Sequence, residues 1–187
     1  MTQQIAPRTD LYTFVHKGQR RALFDLTARA GSTDPSDLAA VAELIAEGRG
    51  VLADLHDHSD NEHRFIHPLF AERAPEIERA FEAAHAALDP VLDDLARRFD
   101  ALEGAVSPAA VLDLYRALAR FTGVYLAHID EEEATLPVLW ERFSEVELSA
   151  VMAAFRRSRT PAQAAHDREK MLPGLHPGER ARLLAAS

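Results

Sequence analysis

An all-α fold, an up-and-down four-helix bundle with additional short C-terminal helices, is what this sequence predicts, and three observations predict it. Ala and Leu dominate a chain that is 47% hydrophobic and holds only 8 Gly, and such residues lose less side-chain entropy in a helix than β-branched ones do. Apolar residues recur every three or four positions over four long stretches, the period of one helical face. The stretches are joined by short Gly-, Pro- and Ser-containing segments, which make consecutive helices antiparallel neighbours.

The first helix is expected from Thr9 to Ala30, with Leu11, Tyr12, Val15, Leu23 and Leu26 on its stripe and Gly31 as the stop. Ser32-Thr33-Asp34-Pro35 signals the second, which runs from about Asp37 to Phe70 through Val41, Leu44, Leu55 and Ile66. Gly48 and Gly50 weaken it by about 1 kcal/mol each without ending it. Pro75 opens the third, since a first-turn proline gives up an N–H that would be unpaired there anyway. That helix continues through Phe81, Leu88 and Leu92 to Phe99 or beyond, with a kink at Pro90. After the turn around Glu103 to Pro108, the fourth runs from Pro108 through Leu118, Phe121 and Ile129 to about Phe143.

These helices make residues 1–145 one bundle, and residues 146–187 are expected to form short helices packed on it. Ser144 and Glu147 have the spacing of a capping box, and Thr160-Pro161 marks another start.

Composition narrows the chemistry. The net charge is −9 and no basic stripe appears, which argues against nucleic acid as a partner. With no Cys, a transition-metal site has only His and carboxylate to draw on. Met1 to Asp10 lacks an apolar signal core, and no stretch approaches the roughly 20 apolar residues that span a bilayer. The expected location is therefore the cytoplasm, with no membrane partner.

The stripes themselves carry ionisable residues. His58 and Glu62 stand four apart on the second helix, roughly 40° apart around its axis, on the face of Val51, Leu55, Phe65, Ile66 and Leu69. His128 and Glu132 repeat the spacing on the fourth, in the stripe of Phe121, Val124, Tyr125, Leu136 and Leu139. His16 and His85 lie in the stripes of the first and third. Two buried glutamates without partners would cost several kcal/mol or take up protons, so a cation is expected between them. Four His and two Glu then converge from four helices, and a proline follows each pair at a similar offset, at Pro68 and Pro137, suggesting two related halves. Imidazole and carboxylate suit iron, zinc, copper or manganese, and raw affinity would favour copper or zinc over iron.

The series His16, His58-x-x-x-Glu62, His85, His128-x-x-x-Glu132 resembles the hemerythrin-like, or HHE cation-binding, family over roughly residues 9 to 143. The resemblance implies a four-helix bundle around two iron ions joined by an oxo or hydroxo bridge, with zinc and manganese also fitting the donors. It assigns His16 and His58 to one ion, His85 and His128 to the other, and Glu62 and Glu132 as bridges. It implies reaction with dioxygen, hydrogen peroxide or nitric oxide, as an oxidoreductase or alternatively as a carrier or sensor of oxygen, nitric oxide or iron. Respiratory members carry one more histidine a turn before the His85 position, where this chain has Phe81. That opens a position for water, an exogenous ligand, or a carboxylate such as Asp89 or Glu133.

The remaining aromatic and imidazole side chains draw blander readings. His56, His63 and His67 fall roughly 140° to 200° from His58 around the helix and read as surface or interhelical residues, with His63 within reach of the ligands. Tyr12 and Tyr125 lie near His16 and His128 as candidate supports for the site, with core packing the simpler role. Trp140 reads as a core anchor.

Overall fold

The computed structural model describes residues 8–185 and is helical throughout, with no strand among them. Its helices are α1 (Thr13–Ser32), α2 (Leu38–Phe65), α3 (His67–Arg73), α4 (Pro75–Gly104), α5 (Pro108–Glu133), α6 (Leu136–Arg142), α7 (Glu145–Ser158), α8 (Pro161–Met171) and α9 (Pro177–Ala185), with a single 3₁₀ turn at Leu172–Gly174. No helix among the described residues is long and apolar enough to cross a membrane.

Local chemistry accounts for the boundaries. The Asp10 carboxylate accepts from the Tyr12 and Thr13 amides at the start of α1, and Asp37 does the same for Ala39 and Ala40 in α2. Ser144 and Thr160 head capping boxes with Glu147 and Gln163. Two expected helices are each divided. The second breaks at Ile66 and restarts as α3, and the fourth breaks at Ala134–Thr135 and restarts as α6. In both cases proline occupies the first turn of the new helix, where its missing N–H costs nothing. Pro90, by contrast, stays inside α4.

The long helices α1, α2, α4 and α5 close a ring of contacts, each touching two others. Two apolar clusters fill the interior. The larger holds Leu23, Leu55, Leu88, Phe99, Leu118 and Ile129, and the smaller holds Tyr12, Ile66, Phe70, Phe81, Leu136 and Phe143. Each long helix passes between the clusters, α1 and α4 from the smaller to the larger and α2 and α5 the other way. His16, the His58/Glu62 pair, His85 and the His128/Glu132 pair all fall at that passage.

Helices α7 to α9 fold back onto α1 and α2. A Cβ at Gly18 would stand 2.9 Å from the Lys170 carbonyl oxygen, so α1 and the end of α8 touch backbone to backbone. Arg159, almost wholly buried, grips Asp57 of α2 and Asp167 of α8 at 2.8 and 2.9 Å, and Lys17 pairs with Glu179 at 2.6 Å.

Gly48 serves packing. A Cβ there would intrude on the fully buried Phe99 ring, whereas a Cβ at Gly50 meets nothing within 4 Å. Gly48→Ala should therefore destabilise by roughly 1–3 kcal/mol of overpacking, exceeding the gain of about 1 kcal/mol in helix propensity that Gly50→Ala should show alone. Urea midpoints of the two variants test this, and a stabilised Gly48→Ala would refute the close approach.

Candidate metal centre

All six predicted side chains meet. His16, Glu62, His85, His128 and Glu132 are buried and His58 is nearly so. The imidazoles form two pairs, with Nε2 atoms 3.2 Å apart for His16 and His58 and 3.1 Å apart for His85 and His128. Each carboxylate offers one oxygen to each pair. Glu62 Oε1 lies 3.1 Å from His58 Nε2 while its Oε2 lies 3.5 Å from His85 Nε2. Glu132 Oε1 lies 3.0 Å from His128 Nε2 and 3.3 Å from His85 Nε2, and its Oε2 lies 3.5 Å from His16 Nε2.

His16 Nδ1 faces Glu133 Oε1 at 3.1 Å, and an ionised carboxylate only accepts, so the ring proton sits on Nδ1. A neutral His16 then turns a bare Nε2 lone pair toward His58 and Glu132. Both Glu62 oxygens and Glu132 Oε2 are buried without any hydrogen-bond donor. Acceptors converging in a dry interior require protons or cations between them. Without a cation, protons serve. Burial opposes the His16 imidazolium, but Glu133 and Glu62 outweigh it and push its pKa up to about 9. Burial likewise works against ionised Glu62 and Glu132, yet the facing imidazoles hold both below the usual carboxylate range.

The spacing suits a transition ion. Two imidazole nitrogens sharing one ion at about 2.1 Å each, at a right angle, stand about 3 Å apart, close to the two observed separations. Donor atoms of His16, His58, Glu62 and Glu132 lie within 4.8 Å of one another, as do those of His85, His128 and Glu132.

The neighbours divide into supports and bystanders. Glu133 is clamped by Arg20 at 2.6 Å and orients His16, so it serves the first pair and is no substitute ligand at the second. Asp89 is exposed, which removes the other proposed carboxylate. Tyr12 stacks on His16 with ring centroids 5.2 Å apart. The Tyr125 hydroxyl donates to Gln19 Oε1 at 3.2 Å. Burial, reinforced by Glu62 and Glu132, pushes both phenols above their ordinary range. Val124, expected in the His128 stripe, is exposed. Trp140 packs against the smaller cluster and donates to the Thr9 carbonyl. Phe81 is buried edge-on against Phe70.

His67 departs most from expectation. Read on an unbroken helix it falls on an outer face, but the break at Ile66 resets the helical phase and buries it. Its ring stacks on His85 at 5.2 Å, and Nδ1 meets Glu82 Oε1 at 3.0 Å. Pro68, directly after it, was the signal available in the sequence.

An all-helical interior that gathers four imidazoles and two carboxylates around acceptor-lined space is that of a cation-binding protein. The hemerythrin HHE cation-binding domain matches residues 8–137, and the chain belongs to that family. Comparison with curated proteins and comparison with solved structures each find no match.

Proposed function

We propose that the chain is a hemerythrin-like non-haem di-iron protein that reacts with a small oxidant, dioxygen, hydrogen peroxide or nitric oxide, as an oxidoreductase. His16 and His58 hold one ion, His85 and His128 the other, and Glu62 and Glu132 span both. The observation that carries this reading is the crossing of the carboxylates, each giving one oxygen to either imidazole pair. The alternating direction in which α1, α2, α4 and α5 pass between the clusters supports an up-and-down bundle.

An iron pair, when bound, supplies redox electrons and positions for a small oxidant. The chain supplies the rest. Two apolar clusters exclude bulk water from above and below. Glu133 and Arg20 fix the His16 ring, and Tyr12 keeps its hydroxyl proton in the presence of two carboxylates. Phe81 offers no donor atom beside His85, so the second pocket, like the first, draws on two imidazoles and lacks the further histidine of respiratory members.

Protein from iron-supplied cells should contain about two iron ions per chain and absorb in the bridged-iron charge-transfer region, because paired imidazoles with bridging carboxylates suit that pair. Zinc alone, or no metal after reconstitution, would overturn the reading. Steady peroxide consumption then separates an enzyme from a carrier. Phe81→His should slow that consumption several-fold by filling the second pocket, and unchanged turnover would remove Phe81 from the explanation.

A sensor is the second reading, favoured by two contacts of α1. Gly18 and Lys17, beside His16, touch the C-terminal segment directly, so a shift of α1 on ligand binding would move α8 and α9.

A further inference from the structure

We propose that His63, His67 and Glu82 form a third cation site, which binds a divalent transition ion at the surface and passes it inward to His85 and His128. The second half rests on the di-metal reading above.

The three donor atoms lie within 4.8 Å of one another. Glu82 Oε1 stands 3.2 Å from His63 Nε2 and 3.0 Å from His67 Nδ1, so one oxygen is addressed by two rings. His63 shows why a cation fits. Its Nδ1 lies 2.8 Å from the Ser59 backbone carbonyl, which can only accept, so the proton of the neutral ring sits on Nδ1 and Nε2 presents a lone pair to the carboxylate. Two lone pairs at that distance repel unless a proton or a metal cation lies between them, so the contact accepts either. His67 adapts to the same demand. Without a cation its Nδ1–H donates to Glu82 Oε1 at 3.0 Å, and because its buried Nε2 has no hydrogen-bond partner, the proton can move to Nε2 when Nδ1 takes a cation.

Placement gives the site a role. His63 and Glu82 are exposed while His67 and His85 are buried. Rings of His63 and His67 lie 4.8 and 5.2 Å from His85. The rings of His63 and His67 stand 4.5 Å apart and both border His85, so the outer site adjoins the second pocket directly. The break at Ile66 makes this possible, because it turns His67 inward while leaving His63 on the last turn of α2.

The test uses full-length protein stripped with chelator and titrated with Co²⁺ or Zn²⁺. Wild type should take up three equivalents, and His63→Ala and Glu82→Gln, both at exposed positions, should keep two and weaken the third by about tenfold or more. Anaerobic loading with Fe²⁺ should reach the same final content in His63→Ala but several-fold more slowly. Saturation of wild type at two equivalents, or a third equivalent that survives both substitutions, overturns the site. A third equivalent that is lost with no change in loading rate overturns the transfer. If wild type binds a single ion that His63→Ala abolishes, the buried di-metal reading fails and the outer site stands.

Discussion

Glu132→Ala is expected to empty both buried pockets. Its two oxygens serve three of the four histidines, His85 and His128 through Oε1 and His16 through Oε2. Losing it therefore removes a donor from each ion at once. The loss in affinity should exceed the roughly 10–100-fold that follows removal of an outer partner. Glu133→Gln supplies that comparison, since Glu133 meets Arg20 and the far side of His16 but neither imidazole pair's Nε2 atoms, and the variant should leave both ions bound, more weakly. Metal analysis after dialysis distinguishes the two variants, and Glu132→Ala protein that retains two ions would disprove the bridging role. Thermal melts provide a second measure. At free ion about 100 times above the dissociation constant, each ion stabilises wild type by about 2.7 kcal/mol, which Glu132→Ala should forfeit.

The second large effect concerns pH. In the metal-free protein the His16 pKa is raised from 6.5 to about 9, despite burial, by Glu133 and the bridging carboxylates. A raised folded-state value stabilises fully below the unfolded value and fades as pH climbs through the folded one. At about 1.36 kcal/mol per unit, this group contributes about 3 kcal/mol near neutrality that is lost by about pH 9. Glu133, held at about 2 by His16 and Arg20 against the effect of partial burial, works in the opposite direction, stabilising above about 4.5 and failing only in strong acid. Metal-free protein should thus be most stable in mildly acid solution and weaken toward alkali. Metal binding requires a bare Nε2 and releases protons. The gap between loaded and metal-free melting temperatures should therefore widen from about pH 6 to about pH 9, and a constant gap would show that no proton is displaced.

The positions of helices and of all six converging side chains were legible because one signal carries both. A histidine or glutamate in an apolar stripe at helical spacing lies in the core wherever the stripe does. What could not be read was phase across a break. On a helix running unbroken through Pro68, His67 reads as a surface or interhelical residue, but the single irregular residue Ile66 rotates everything after it. Glu133 illustrates a different limit. Its neighbours Asp130 and Glu131 are exposed, and only Arg20 and His16, more than a hundred positions earlier, give it its role. The match to residues 8–137 covers the six-residue series but ends before α7, and the contacts of Arg159 with Asp57 and Asp167 had no local signature.

On the di-metal reading, the division of the six converging side chains between two hairpins sets an order of events for the chain. His16, His58 and Glu62 come from α1 and α2, while His85, His128 and Glu132 come from α4 and α5. Each imidazole pair takes a carboxylate oxygen from the opposite hairpin. Neither half can assemble a complete pocket alone, and 117 positions separate His16 from the Glu133 that orients it. Loop closure over such a span is entropically costly before packing compensates for it. On the di-metal reading, the buried pockets of a nascent chain would thus stay incomplete until α5 had been synthesised and docked, which would make loading of the buried centre a late event in biogenesis.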